Sequence, residues 1–203
     1  MLTPMDTAVG LVQSYLYLNG YFTVTEYPVL ELLEDGEYRS VTDLDMLALR
    51  IPGAGRVVDS SDGSVLALDP ALDVDLNRID LIIAEVKEGK AELNASARDP
   101  KVLRAALNRF GAVPDDRIAA VIDQLLGDGE AEHPGGARVR LMAFGSRPPV
   151  QRRKKYQWML HGDLVGFMHR TIGEHWAAAQ TIQSKDPALS FLLLLEKAVR
   201  GEK

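Results

Sequence analysis

Three side chains in this sequence have the types and spacing to do chemistry together: Asp45 in TDLDMLAL, and Glu85 and Lys87 in DLIIAEVKEG. Residues of a strand alternate between its faces, so Glu85 and Lys87 project together from the end of an apolar run that reads as a buried core strand. Charges in such a place are costly unless they are paired or put to use. Asp45 stands in the same way at the head of Met46, Leu47, Ala48 and Leu49. An acid on one buried strand and Glu-x-Lys on another is a set that can hold a divalent metal beside a lysine, and it suits attack on a phosphodiester. Asp43 shares a strand face with Asp45 and is the alternative acid, while Glu26, just before Pro28, is a candidate accessory acid.

The elements that must position these residues follow from apolar periodicity and turn residues. Residues 5–19 are predicted to form a helix with Val9, Val12 and Leu16 on one side and Asn19-Gly20 as its stop. Tyr21 to Leu33 is β-rich, interrupted at Pro28 and turned at Glu34-Asp35-Gly36. Val41 to Ile51 is the strand that carries Asp45, residues 52–75 form a loop with a short hairpin near Asp62-Gly63, and Ile79 to Lys87 is the Glu-x-Lys strand. Pro100 to Phe110 and Asp115 to Leu126 have helical periodicity, and Ala137 to Phe144 is again a strand. Two helices followed by a hairpin around His133 to Gly136 fit a winged helix-turn-helix. They fit equally a crossover that returns Val139 to Phe144 as a core strand, which is preferred because a parallel connection needs a helical segment of this size. Beyond a basic connector, Asp163 to Thr181 is predicted to be one amphipathic helix with Leu164, Phe167, Met168, Ile172 and Trp176 on one face. Asp186-Pro187 caps a last helix through Val199.

With the order helix, strand, acid-bearing strand, Glu-x-Lys strand in place, the sequence resembles the PD-(D/E)XK nuclease superfamily, which includes restriction endonucleases and Holliday-junction resolvases. The resemblance runs from the leading helix through YFTVTEYPV and TDLDMLAL to DLIIAEVKEG, and continues more weakly to Ile172. It implies an α/β fold: a restriction-endonuclease-like mixed central sheet flanked by helices, with a helical C-terminal extension. Residues 1–146 would be the nuclease-like core, with a helical crossover at about 99–127, and residues 147–203 a basic connector and C-terminal helices packing on that core. By the same resemblance, Asp45, Glu85 and the backbone carbonyl of Val86 bind Mg²⁺ (or Mn²⁺), and Lys87 positions or deprotonates the attacking water. The implied function is metal-dependent cleavage of nucleic acid, with DNA as the expected substrate and the protein as an endonuclease. Two alternatives are a nuclease-fold module that binds nucleic acid without cleaving it, and a winged-helix DNA-binding protein using residues 100–145. Many members of the superfamily carry an acid on the leading helix, where this chain offers Gln13, so one metal is expected rather than two.

Bulk properties set the frame. The chain has 203 residues, 46% of them apolar, and no cysteine, so disulfides, thiolate metal sites and cysteine nucleophiles are excluded. The first basic residue is Arg39, so no secretory signal is expected, and the apolar run Phe191 to Leu195 is far too short to cross a bilayer. A cytoplasmic location with no membrane partner is the expectation. A net charge of −6 argues against tight non-specific binding to nucleic acid, but the bases are concentrated between Arg147 and Lys155. Arg152, Arg153, Lys154 and Lys155 are therefore the candidate phosphate-contacting residues. The histidines form no cluster, and no phosphate loop, dinucleotide fingerprint or nucleophile elbow occurs. The apolar last helix could serve a homodimer interface.

Overall fold

Local signals set where several of the elements begin and stop. In the computed structural model, which describes residues 6–55, 57–133, 135–150 and 155–201, helix α1 (Thr7–Leu18) starts where the Asp6 side chain accepts the Ala8 N–H at 2.8 Å. It ends at Gly20, whose φ of +81° suits a residue without Cβ and which lies tight against the backbone of Ala54 and Gly55. Strands β1 (Phe22–Leu32) and β2 (Tyr38–Arg50) follow, then a small hairpin of β3 (Val57–Asp59) and β4 (Ser64–Val65), then β5 (Ile79–Lys90). Helix α2 (Pro100–Phe110) opens on Asp99 as cap with proline behind it, and α3 (Asp115–Asp128) closes on a left-handed Gly129. The remaining elements are β6 (Glu130–Glu132), β7 (Ala137–Arg147), β8 (Gln157–Leu160), α4 (His161–Glu174), α5 (Trp176–Ala179) and α6 (Pro187–Arg200).

These strands form a mixed sheet in the order β1-β2-β5-β7-β6. β1 and β2 are antiparallel, as are β2 and β5, whereas β5 and β7 run parallel, the pairing expected of a crossover through α2 and α3. The hairpin to β6 is also present, spanning Arg138 to Arg140, and β8 takes the same edge of β7 farther along, from Met142 to Gly145. Helices cover both faces. Ile82, Ala84 and Val86 point toward α1, α4 and α6, and Leu81 and Ile83 toward α2 and α3, so the central strand is apolar on both sides. No helix among the described residues is long and apolar enough to cross a membrane.

Three local expectations are corrected. Pro28 does not interrupt β1, because β1 is an edge strand and a residue without N–H can turn that side to solvent. The segment taken as a basic connector contains β8, four residues that are too few to show a strand period. The helix expected over Asp163 to Thr181 breaks at His175 (φ −109°, ψ 32°) into α4 and α5. There the Gly173 carbonyl accepts from Arg200 Nη2 of α6 at 3.3 Å, and the Arg200 guanidinium lies 5.1 Å from the Trp176 ring.

One buried polar network fixes the start of the sheet. Arg140, fully buried, donates to Asp80 through Nε (3.0 Å) and Nη2 (2.5 Å), to the Leu72 carbonyl and to Gln157 Oε1 (both 2.8 Å), and Tyr21 donates to Asp80 at 2.7 Å. Burial, with the Asp80 carboxylate beside it, pushes the Tyr21 phenol well above its ordinary value.

Candidate active site

The site arises where two strands part. β2 and β5 pair from Arg50↔Asp80 to Met46↔Ala84, and beyond that point β2 pairs with β1 and β5 with β7. The parting coincides with an irregularity in the hairpin. Leu44 and Leu47, an odd number of residues apart, both pack in the cluster under α2 and α3, which a regular strand forbids. Asp45 lies between them, at the register position of Glu26, which has φ +50°. The strand changes face at Asp45, and its side chain enters the fork.

In the fork, Asp45 Oδ2 accepts the Val86 N–H at 2.8 Å, taking a backbone donor that the ladder no longer satisfies. A strand residue directs its N–H and C=O to the same edge, so the Val86 carbonyl also faces the fork. Lys87 Nζ lies 3.9 Å from Asp45 Oδ2 and contacts Glu85 Oε1, which Asn94 Nδ2 also contacts. Glu85 is only 3% exposed, whereas the Lys87 and Asp45 side chains are half-buried, so the cluster opens to solvent past the lysine. Burial pushes the Glu85 pKa up; the Lys87 ammonium works against that rise and the Asp45 carboxylate adds to it. Lys87, Lys90, Asn94 and Arg147 line an open cleft of about 440 Å³ at this mouth, together with Glu88 and Glu92.

Asp45, Glu85, Val86 and Lys87 are thus brought together. Asp43 is exposed on the stretch of β2 that pairs with β1, and the acid at the fork is Asp45. Glu26 is exposed opposite Asp45. Gln13 does not reach the site: its amide donates to Thr23 Oγ1 at 3.2 Å, on the face covered by α1. Lys155 is exposed where the chain passes Gly129, on the edge of β7 away from β5, and Arg152, Arg153 and Lys154 lie outside the described residues. Asn94, Lys90 and Arg147 were not singled out as site residues. Asn94 sits in a polar loop that carries no periodic signal, and Lys90 and Arg147 belong to strand ends that run past the apolar runs defining β5 and β7.

Among the described residues no group of three or more His, Cys, Asp or Glu side chains is placed to hold a metal. Two carboxylates and a carbonyl nevertheless fit hard Mg²⁺, which keeps several waters and binds through one or two carboxylates plus substrate oxygens. In this structure Glu85 instead meets Lys87, and burial is the main cause of its raised pKa. Compared with known proteins, the chain matches no family model, no curated protein and no solved structure.

Proposed function

We propose that this protein is a divalent-metal-dependent phosphodiesterase acting on nucleic acid, a DNA endonuclease of restriction-endonuclease-like fold. The observation that carries the reading is the fork itself, where Asp45 enters the gap between β2 and β5, holds the Val86 N–H and meets Lys87 beside a buried Glu85. A sheet opened at that point spends ladder hydrogen bonds, and the three charged groups gathered there have a use that an apolar filling would not serve.

Asp45, Glu85 and the Val86 carbonyl would hold Mg²⁺ or Mn²⁺, which when bound polarises a phosphoryl oxygen and lowers the pKa of a water. Lys87 offsets one of the two carboxylate charges in the free protein and would move off Glu85 Oε1 as the pair takes a cation. Its ammonium, freed toward the mouth, can position a water or steady charge on the phosphate. Asn94 keeps a donor on Glu85 Oε1 and so orients the carboxylate. Lys90 and Arg147 line the cleft where phosphates would lie.

The test is a cleavage screen over linear, branched and single-stranded DNA and RNA with Mg²⁺ or Mn²⁺, run beside calorimetric Mn²⁺ binding. Lys87→Ala should abolish cleavage while sparing Mn²⁺ binding, and Glu85→Ala should lose both. A second reading, a nucleic-acid-binding module without catalysis, is favoured by the closed Lys87–Glu85 pair. It predicts binding to nucleic acid with no Mn²⁺ affinity dependent on Asp45 and Glu85.

A further inference from the structure

On the other face of the sheet, behind the candidate site, α6 carries an apolar stripe that no described residue covers. Phe191, Leu194, Leu195 and Val199 recur at helical spacing along α6 and are 64%, 63%, 41% and 71% exposed. Beside the stripe is a groove of about 690 Å³ between α6, the start of α1 and the start of α4, with Leu11, Val165, Phe191 and Leu195 among its walls. Single exposed apolar residues are ordinary on a protein surface, but a contiguous helical stripe flanking a concave apolar groove is the shape of a helix-binding site. The groove also has a sign. Asp6 and Glu88 bring carboxylates to its wall, and no lysine or arginine is among its described lining residues. His161, the remaining ionisable group there, is held toward its neutral form by burial, against the pull of Asp6 and Glu88.

We propose that this groove docks a basic amphipathic helix of a partner protein. Its apolar side would cover the stripe and its lysines or arginines would meet Asp6 and Glu88. A second copy of this chain is a poorer fit: on α6, Arg200 is held by Glu196 at 2.6 Å and lies over Trp176, which leaves Lys197, three residues from Leu194, as the base beside the stripe. One base against Asp6 and Glu88 complements the groove less well than the several of a basic amphipathic helix, and sedimentation distinguishes the two. Glu88 immediately follows Lys87 on β5 and lines both the groove and the candidate cleft, so the docked helix would lie against the rim of that cleft rather than in it.

The experiment uses the full chain and two labelled synthetic helices that share one Leu pattern at helical spacing, one with Lys and one with Glu on its polar face. Fluorescence anisotropy should show binding of the Lys peptide and not of the Glu peptide. Leu195→Glu should weaken the Lys peptide by about tenfold or more, the size of an anchor removed from a docking face. Glu88→Lys should shift the preference toward the Glu peptide, and thermal unfolding of both variants should match the parent because both positions are exposed. No binding, or binding indifferent to Leu195→Glu and to the peptide's charge, overturns the proposal. Two other results would also overturn it by giving the groove to another occupant. One is concentration-dependent self-association in sedimentation that Leu195→Glu abolishes. The other is peptide binding that appears only in a chain beginning at Asp6, which would assign the groove to residues 1–5.

Discussion

Substitution of Asp45 separates two tasks that one carboxylate performs. Asp45→Ala removes the acceptor of the half-buried Val86 N–H, and an unsatisfied donor of that kind costs about 1–3 kcal/mol. At roughly 2–4 °C per kcal/mol for a chain of this length, Tm should fall by roughly 2–12 °C. Asp45→Asn keeps an oxygen for the N–H and removes only charge, so its Tm should stay within about 2 °C of the parent. Both variants delete one of the two carboxylates at the fork, and Mn²⁺ affinity should drop by more than the roughly 10–100-fold that removal of an outer hydrogen-bond partner costs a metal site. Thermal unfolding followed by circular dichroism, with and without EDTA, and calorimetric Mn²⁺ titration read the two effects apart. Equal Tm for Asp45→Ala and the parent would refute the backbone role, and parental Mn²⁺ affinity in Asp45→Asn would refute the ligand role.

Other outcomes follow from the same geometry. Glu85 has its folded pKa raised above the ordinary 4.5, so the metal-free folded state holds that proton more tightly than the unfolded chain. Stability should therefore decline as pH rises from the ordinary carboxylate value through the raised one, and Glu85→Gln should flatten the decline; urea midpoints that vary identically with pH in the two proteins would count against this. Asp80→Ala strands a fully buried Arg140 and should cost about 3–5 kcal/mol in denaturant unfolding, whereas a loss below about 1 kcal/mol would mean that the charge finds water or another partner. Neutralising Arg152, Arg153, Lys154 and Lys155 together should weaken nucleic-acid binding and reduce its salt slope by roughly 0.7–0.9 for every phosphate that these four side chains neutralise, and an unchanged slope would leave the segment a linker.

Much of the fold was legible because its strands and helices are uniform in character. Ile79 to Lys87 reads as a two-sided core strand because every residue from Leu81 to Ala84 is apolar, and the structure buries them in alternating directions. Helix ends were readable where a polar cap, a proline or a left-handed glycine marks them, as at Asn19-Gly20 and Asp186-Pro187. Two of the misses share a different cause, since each depends on a partner distant in sequence. α4 stops at His175 where Arg200 of α6 takes the Gly173 carbonyl, and β8 is a strand because β7 offers it an edge. No window around either segment contains that information.

The candidate site shows the same division in sharper form. Alternation placed Glu85 and Lys87 on one face without reference to anything else. Whether Asp45 or Asp43 meets them cannot follow from alternation, because the two acids share strand parity. The choice is made by where the β2–β5 ladder ends, at Met46↔Ala84, with Asp45 the next residue of β2 beyond it. The irregularity shows in the folded strand: Leu44 and Leu47 can share a face only if the strand loses step between them, and Asp45 occupies the place where it does. The sequence does not carry it, because Leu44, Met46, Leu47, Ala48 and Leu49 are all apolar, and a strand apolar on both faces has no phase to read. The acid next to that step, at the end of the β2–β5 ladder, is Asp45, while Asp43 lies beyond it on the part of β2 that pairs with β1.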